Sequence, residues 1–197
     1  MQVNSRRTQA ERNAATRTAL LAAARCAFAD KGFAAAGTED IAAAAGASRG
    51  ALYHHFADKT ALLDAVVAEI AVEISVAVEA EADAATSPLA ALKRGAHAFL
   101  REALRPDRRR VYLIDAPAAL GWSRWRAIDA ASGMGGLRAG VAAAHPRADA
   151  EAVTVLISGA LNEAALLLAE HSHGADLAAR VEAAIDALID GLFEAER

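Results

Sequence analysis

An all-α fold is predicted: a small three-helix head followed by a larger helical body, about nine helices in all. Three observations predict it. Hydrophobic residues make up 55% of the chain, but much of that share is alanine, the best helix former and a poor filler of space. Aromatics are sparse at 5%, and period-two clusters of Val, Ile and Thr are absent. Apolar residues instead return at three- and four-residue spacing along most of the 197 residues.

The elements follow in order. Residues 8–31 form the first helix, with Leu20, Leu21, Ala24 and Phe28 on one side and Lys31-Gly32 as its end. Thr38 is the expected N-cap of a short second helix, with Glu39 and Asp40 in its first turn and Ile41 inward. Gly46 ends it. Ser48 caps a third helix over 49–55, and Asp58 precedes a long one over 59–83. The long helix turns Leu62, Leu63, Val66, Val67, Ile70 and Ile74 inward. Ser87-Pro88 opens a helix over 88–104. Residues 107–120 are expected to be helical with an interruption near Pro117. Gly121 breaks the chain, and residues 122–131 resume it. Gly133-Met134-Gly135-Gly136 reads as a kink or turn before 137–144. Helices over 149–170 and 176–194 close the chain, joined by a turn at 173–176 with Asp176 as its N-cap. The domain division expected is 1–58 for the head and 59–197 for the body.

Composition bounds the setting. A single cysteine, Cys26, excludes an internal disulfide framework, and its apolar neighbours suggest a small buried side chain. No uninterrupted apolar run approaches a membrane span, and the polar N-terminus lacks the apolar core of a signal peptide. A cytoplasmic protein that does not engage a membrane is expected. The net charge of −4 is uneven. Residues 1–60 hold eight Lys and Arg against five Asp and Glu, a net +3, which leaves −7 for the remainder. A basic head on an acidic body points to a polyanionic partner for the head.

The head carries the constellation that names that partner. Its last two helices, joined by a tight glycine turn, have the helix-turn-helix pattern. Close crossing of helices two and three requires small residues, and Ala42, Ala45 and Ala47 supply them. Leu52 and Phe56 bury one side of the third helix, which leaves Arg49, Gly50, Tyr53 and His54 outward. A long bidentate donor, a small residue for close approach and an aromatic hydroxyl suit a DNA major groove. Lys59 is placed to meet a phosphate together with the start of its helix. His55 is divided between packing and DNA contact.

These residues resemble the TetR family of bacterial transcriptional regulators. The likeness lies in Phe28 with Gly32-Phe33, Thr38 with Ile41-Ala42, and Ala45-Gly46 followed by Ser48, Gly50, Leu52-Tyr53 and His55-Phe56, then Lys59 with Leu62. The resemblance implies a DNA-binding head, a helical body that binds a ligand and dimerises, and a repressor released from a palindromic operator by a small molecule. It implies phosphate contacts by Thr38, Ser48, Tyr53, His54 and Lys59, and approach to bases by Arg49, Gly50 and Tyr53.

The body's role is read from apolar stripes and isolated polar groups. A dimer must set two heads roughly 34–36 Å apart to read two half-sites. The closing helices offer Leu156, Ala160, Ala164, Leu168, Val181, Leu188 and Leu192 as its interface, with Gly159 allowing close approach. By resemblance, these helices pair with their twofold mates as a four-helix bundle. Polar residues in apolar helices and a pair of nearby tryptophans suggest a ligand cavity. Its candidates are Phe99, Tyr112, Asp115, Trp122, Trp125, Ser158 and Asn162. Core packing is the competing account of each. The effector itself is unspecified.

No cofactor is expected. His171 and His173 diverge on a helix, so Glu170-His171-Ser172-His173 reads as a solvated helix end and no metal is expected. Arg108-Arg109-Arg110 reads as a solvated helix start or as partners for the acidic body. An enzyme is the rival class, yet no nucleophile with a base, phosphate loop or paired catalytic carboxylates appears in a supporting context. A DNA-binding regulator without a small-molecule ligand is the other alternative.

Overall fold

A computed structural model describes residues 8–170 and 175–194. Among the described residues the fold is all-α, without a strand. The chain divides into two compact units, Met1–Val66 and Val67–Arg197. The head unit therefore takes in the first two turns of the long helix, whose Leu62, Leu63 and Val66 are fully buried.

The head opens with α1 (Gln9–Lys31), which starts at a reciprocal cap. The Thr8 hydroxyl accepts from Glu11 N, and the Glu11 carboxylate accepts from Thr8 N. Helix α2 (Thr38–Ala44) starts one residue earlier than expected, because Gly37 occupies the N-cap and Thr38 lies inside the helix. The turn after it needs Gly46, whose φ of +63° is the left-handed conformation that only glycine adopts readily. Ser48 caps α3 (Arg49–His55) by accepting from Ala51 N at 3.1 Å. Asp58 opens α4 (Lys59–Asp83) by accepting from Ala61 N at 2.7 Å. Helix α1 packs on α2 and α3 around Phe28, Ile41, Leu52 and Phe56, all buried. Cys26 departs from its expected burial and is exposed. It stands about 200° around α1 from the buried Ala24, at 100° per residue, and so on the opposite face.

In the body, α5 (Pro88–Ala103) begins with Ser87 accepting from Ala90 N and proline in the first turn. The next stretch is less regular. Helix α6 (Pro106–Arg109) runs into a π-helical turn (Arg110–Asp115) and then α7 (Ala116–Leu120). The expected interruption thus lies just before Pro117. That proline has no N–H to continue the ladder, and the turn preceding it widens. After Gly121 comes α8 (Trp122–Ala144), which runs unbroken through Gly133-Met134-Gly135-Gly136. The expected kink there is corrected: none of these glycines has a positive φ, and packing overrides their low helix propensity.

Helices α9 (Ala150–Glu170) and α10 (Ala175–Glu194) complete the body. Helix α8 packs on α5 and α9, while α10 packs on α5 and α9. The last two helices put Ile157, Leu161, Ala165, Ile185 and Ile189 inside. Over Ala150–Ala169, α9 is long and apolar enough to cross a membrane by length and composition. Its apolar residues do not form an uninterrupted run, since Thr154, Ser158, Asn162 and Glu163 break them. Asp176 lies inside α10. Ala175 does too, whereas residues 173 and 174 of the expected turn and the side chains of the Glu170–His173 cluster lie outside the described residues.

Candidate nucleic-acid interface and body cavity

Helix α3 buries Leu52 and thereby fixes which residues face outward. Arg49, Gly50, Tyr53 and His54 are exposed, as is the capping Ser48. Arg49 leans on Tyr53, with its guanidinium carbon 5.7 Å from the ring centre, and pairs with Glu39 of α2. The Tyr53 hydroxyl lies 3.3 Å from the Thr38 hydroxyl. Glu39, Thr38, Arg49 and Tyr53 are thus one cluster bridging the two helices. The pairing between Arg49 and Glu39 is surface-exposed and contributes little to stability. Arg49 is free to exchange Glu39 for another acceptor at that small cost. Glu39 was not among the expected contacts. Its ten-residue separation from Arg49 gives no local signal.

Lys59 departs from its expected place. Its ammonium donates to the carbonyls of Phe33 at 2.7 Å, Ala34 at 3.2 Å and Ala36 at 3.1 Å. An ammonium has three donors, so all are used within the head. It also lies 4.6 Å from the centre of the Phe33 ring. Lys59 ties down the loop between α1 and α2, whose carbonyls have no helical partner. His55 is half-buried beside Phe56, at 6.4 Å between ring centres, which favours the packing role.

The body holds a half-open cavity of about 450 Å³ between α4, α5, α8 and α9, with Tyr112 of the π-helical turn. Its wall is mainly apolar: Ile74, Val78, Leu92, Phe99, Met134, Leu137 and Leu161. Glycines make room for it. A Cβ at Gly140 would come within 3.0 Å of Leu92 Cδ2, and one at Gly95 within 3.4 Å of Val78 Cγ1.

A polar knot lies at one part of the wall. Tyr112 donates to Asp129 Oδ1 at 2.9 Å, while Asn162 Nδ2 donates to Asp129 Oδ2 at 3.1 Å. Arg126 pairs with Asp129 and also donates to the Ser158 hydroxyl at 3.2 Å. Burial, together with the Asp129 charge beside it, pushes the Tyr112 hydroxyl well above its ordinary value and keeps it a donor.

Of the expected ligand residues, Phe99, Tyr112, Ser158 and Asn162 line this cavity. Asp115, Trp122 and Trp125 do not, and that expectation is corrected. Asp115 lies 3.6 Å from the Arg110 guanidinium. Trp122 is exposed. Trp125 is fully buried behind Tyr112, at 5.9 Å between ring centres, as part of the core. Asp129 and Glu79 were missed, since neither stands out in sequence from other surface carboxylates.

Residues 89–192 match the family described as Tetracyclin repressor-like, C-terminal domain, and residues 20–66 match Bacterial regulatory proteins, tetR family. A TetR-family transcriptional regulator of known structure from Pectobacterium atrosepticum is 35% identical. The alignment covers 97% of this chain and 100% of that one, with a TM-score of 0.82. The chain belongs to the TetR family.

It is a transcriptional regulator with a helix-turn-helix head and a helical body. TetR-family regulators are generally DNA-binding proteins without enzymatic activity. The HTH-type transcriptional regulator CymR of Pseudomonas putida is 50% identical over 58 residues, 29% of each chain. The match thus spans under a third of that curated relative's length. The fatty acid degradation regulator FadR of Bacillus halodurans is 18% identical, with 88% of this chain and 97% of that one covered. Its TM-score of 0.71 shows a shared fold alone.

Buried residues of α9 and α10 leave a second face that the core does not use. On it, Val155, Leu156, Leu167 and Leu188 are exposed. Ala160, Ala164, Leu168, Val181 and Leu192 are half-buried.

Proposed function

We propose that this TetR-family protein is a homodimeric repressor that acts in the cytoplasm, reads a palindromic operator through α3, and is released by a small molecule held in the body's cavity. The division of labour is residues 1–58 for DNA and 59–197 for ligand and dimer. The observation that carries the DNA reading is the outward face of α3, where exposed Arg49 and Tyr53 meet Glu39 and half-buried Thr38 of α2. Arg49, Gly50 and Tyr53 approach bases, while Thr38, Ser48 and His54 meet phosphates. The Lys59 ammonium is occupied, so its part is to hold the loop that positions α2.

The cavity supports ligand control over a regulator without a ligand. It is within the size range of small-molecule sites, mostly apolar with a few polar groups. The dimer rests on the apolar outer face of α9 and α10, since soluble monomers rarely leave such contiguous patches open. Sedimentation that found only monomer at micromolar concentration would end the dimer reading.

Arg49→Ala tests the DNA reading in gel-shift titrations against the gene's own upstream DNA and random DNA. Loss of a bidentate base contact should cost about 1–3 kcal/mol on the specific sequence and much less on random DNA. Equal losses on both would reduce Arg49 to a phosphate contact and sink the assignment.

A further inference from the structure

We infer that the effector is a largely apolar cation, an amine, and not a carboxylate or phosphate, a step that rests on the ligand-controlled reading above. The charge of the cavity wall carries it. Glu79, Asp83 and Asp129 line the cavity, and among the described residues no Lys, Arg or His does. Asp129 is already satisfied. It accepts from Tyr112, Arg126 and Asn162, and Arg126 balances its charge.

Glu79 and Asp83 have no such balance. They stand one turn apart on α4, a spacing at which like charges repel. Among the described residues neither has a basic partner, although Arg94 and Arg101 are nearby in sequence. Those two guanidiniums are committed to Glu81, which does not line the cavity. Both carboxylates are exposed to solvent where they line the cavity, and the positive end of an occupant would meet them there.

Asn162 is an independent second sign. It is 2% exposed, lines the same cavity, and its Oδ1 has no hydrogen-bond partner. Its orientation is fixed by chemistry, because a flipped amide would set Oδ1 against the Asp129 carboxylate. A buried acceptor without a donor is costly, and an occupant with N–H groups would relieve it. An ammonium is both a cation and an N–H donor, so it suits either part of the wall. A carboxylate or phosphate would meet no cation on the wall and would be repelled by the two exposed carboxylates. The apolar remainder of the wall, from Ile74 to Leu161, takes the hydrocarbon part.

Matched probes of one chain length test this on the full-length protein: decylamine, decanol and decanoate, followed by thermal shift and calorimetric titration. The order expected is decylamine tightest, decanol weaker, and decanoate weakest. Glu79→Gln with Asp83→Asn should weaken decylamine about fivefold and leave decanol unchanged, the upper end for an exposed ion pair. Both side chains are exposed, and the Ser75 hydroxyl keeps its shorter bond to the Ser132 carbonyl at 2.8 Å, so the fold is spared. Decanoate binding as tightly as decylamine, an unchanged preference in the double variant, or no binding of decylamine would each overturn the inference. Ligand control is read separately by operator release in a gel shift. If decylamine binds and the DNA complex does not respond, the charge inference stands and the control reading fails.

Discussion

In the head, the polar side chains that matter stand outside an apolar interior: Arg49, Glu39, Tyr53 and Thr38 meet in solvent over buried Phe28, Ile41 and Leu52. In the body the order is reversed. Arg108 lies buried between Glu102 at 2.8 Å and Glu73 at 3.0 Å, and Asp129 gathers Tyr112, Arg126 and Asn162. Both regions are helical among the described residues and differ in the sign of their charge, so the difference comes from what each must meet. A head that reads a long, regular duplex needs a fixed outward set on one short helix. A body that holds a small molecule needs polar groups at a few points of a cavity wall, contributed by distant elements.

The largest way to break this contrast is Arg108→Ala. If the arginine run were merely solvated, the change would fall within about 0.5 kcal/mol. Arg108 is 7% exposed, and its loss leaves half-buried Glu102 with only the more exposed Arg101 and Arg105, at 3.5 and 3.7 Å. The expected loss in unfolding free energy is about 2 kcal/mol, below that of an uncompensated buried charge because Glu73 is partly solvated and Glu102 keeps Arg101 and Arg105. Urea denaturation measures it. A loss under 0.5 kcal/mol would show that the body's interior charges are as dispensable as the head's surface ones.

The contrast also explains what was legible in the sequence. The helices of the head were readable nearly to the residue, because Ser48, Gly46 and Asp58 act on neighbours two to four positions away. The outward face of α3 followed from Leu52 alone. In the body, Tyr112 is 17 residues from Asp129, Asn162 is 33 from it, and Arg108 is 35 from Glu73. No local pattern encodes such pairs. Tyr112, Ser158 and Asn162 stood out as polar groups in apolar helices, while Asp129 looked like any solvated carboxylate. Trp125 misled because an aromatic near a cavity and one in the core behind it have the same sequence signature. Lys59 misled for a related reason: its acceptors are loop carbonyls 23 to 26 residues upstream.

Glycines sharpen the comparison on a smaller scale. Gly46 in the head has a φ of +63°, and a Cβ there would meet nothing within 4 Å. The cost of Gly46→Ala is therefore backbone strain alone, about 1–2 kcal/mol. Gly133 in the body is also sterically open, with nothing within 4 Å of an added Cβ. It differs in lying inside α8 without a positive φ. Gly133→Ala should stabilise by about 0.5–1 kcal/mol, since alanine restricts the unfolded chain and favours the helix. The two substitutions add the same methyl group and should move the thermal midpoint in opposite directions. Destabilisation by Gly133→Ala would mean that α8 bends there in solution, as the glycine-rich sequence suggests. Stabilisation would mean that the glycines are retained for the cavity they line, where a methyl group at Gly133 takes space from the ligand. A rise in midpoint together with weaker decylamine binding is the expected result, and it would locate the reason for this glycine in the site rather than in the fold.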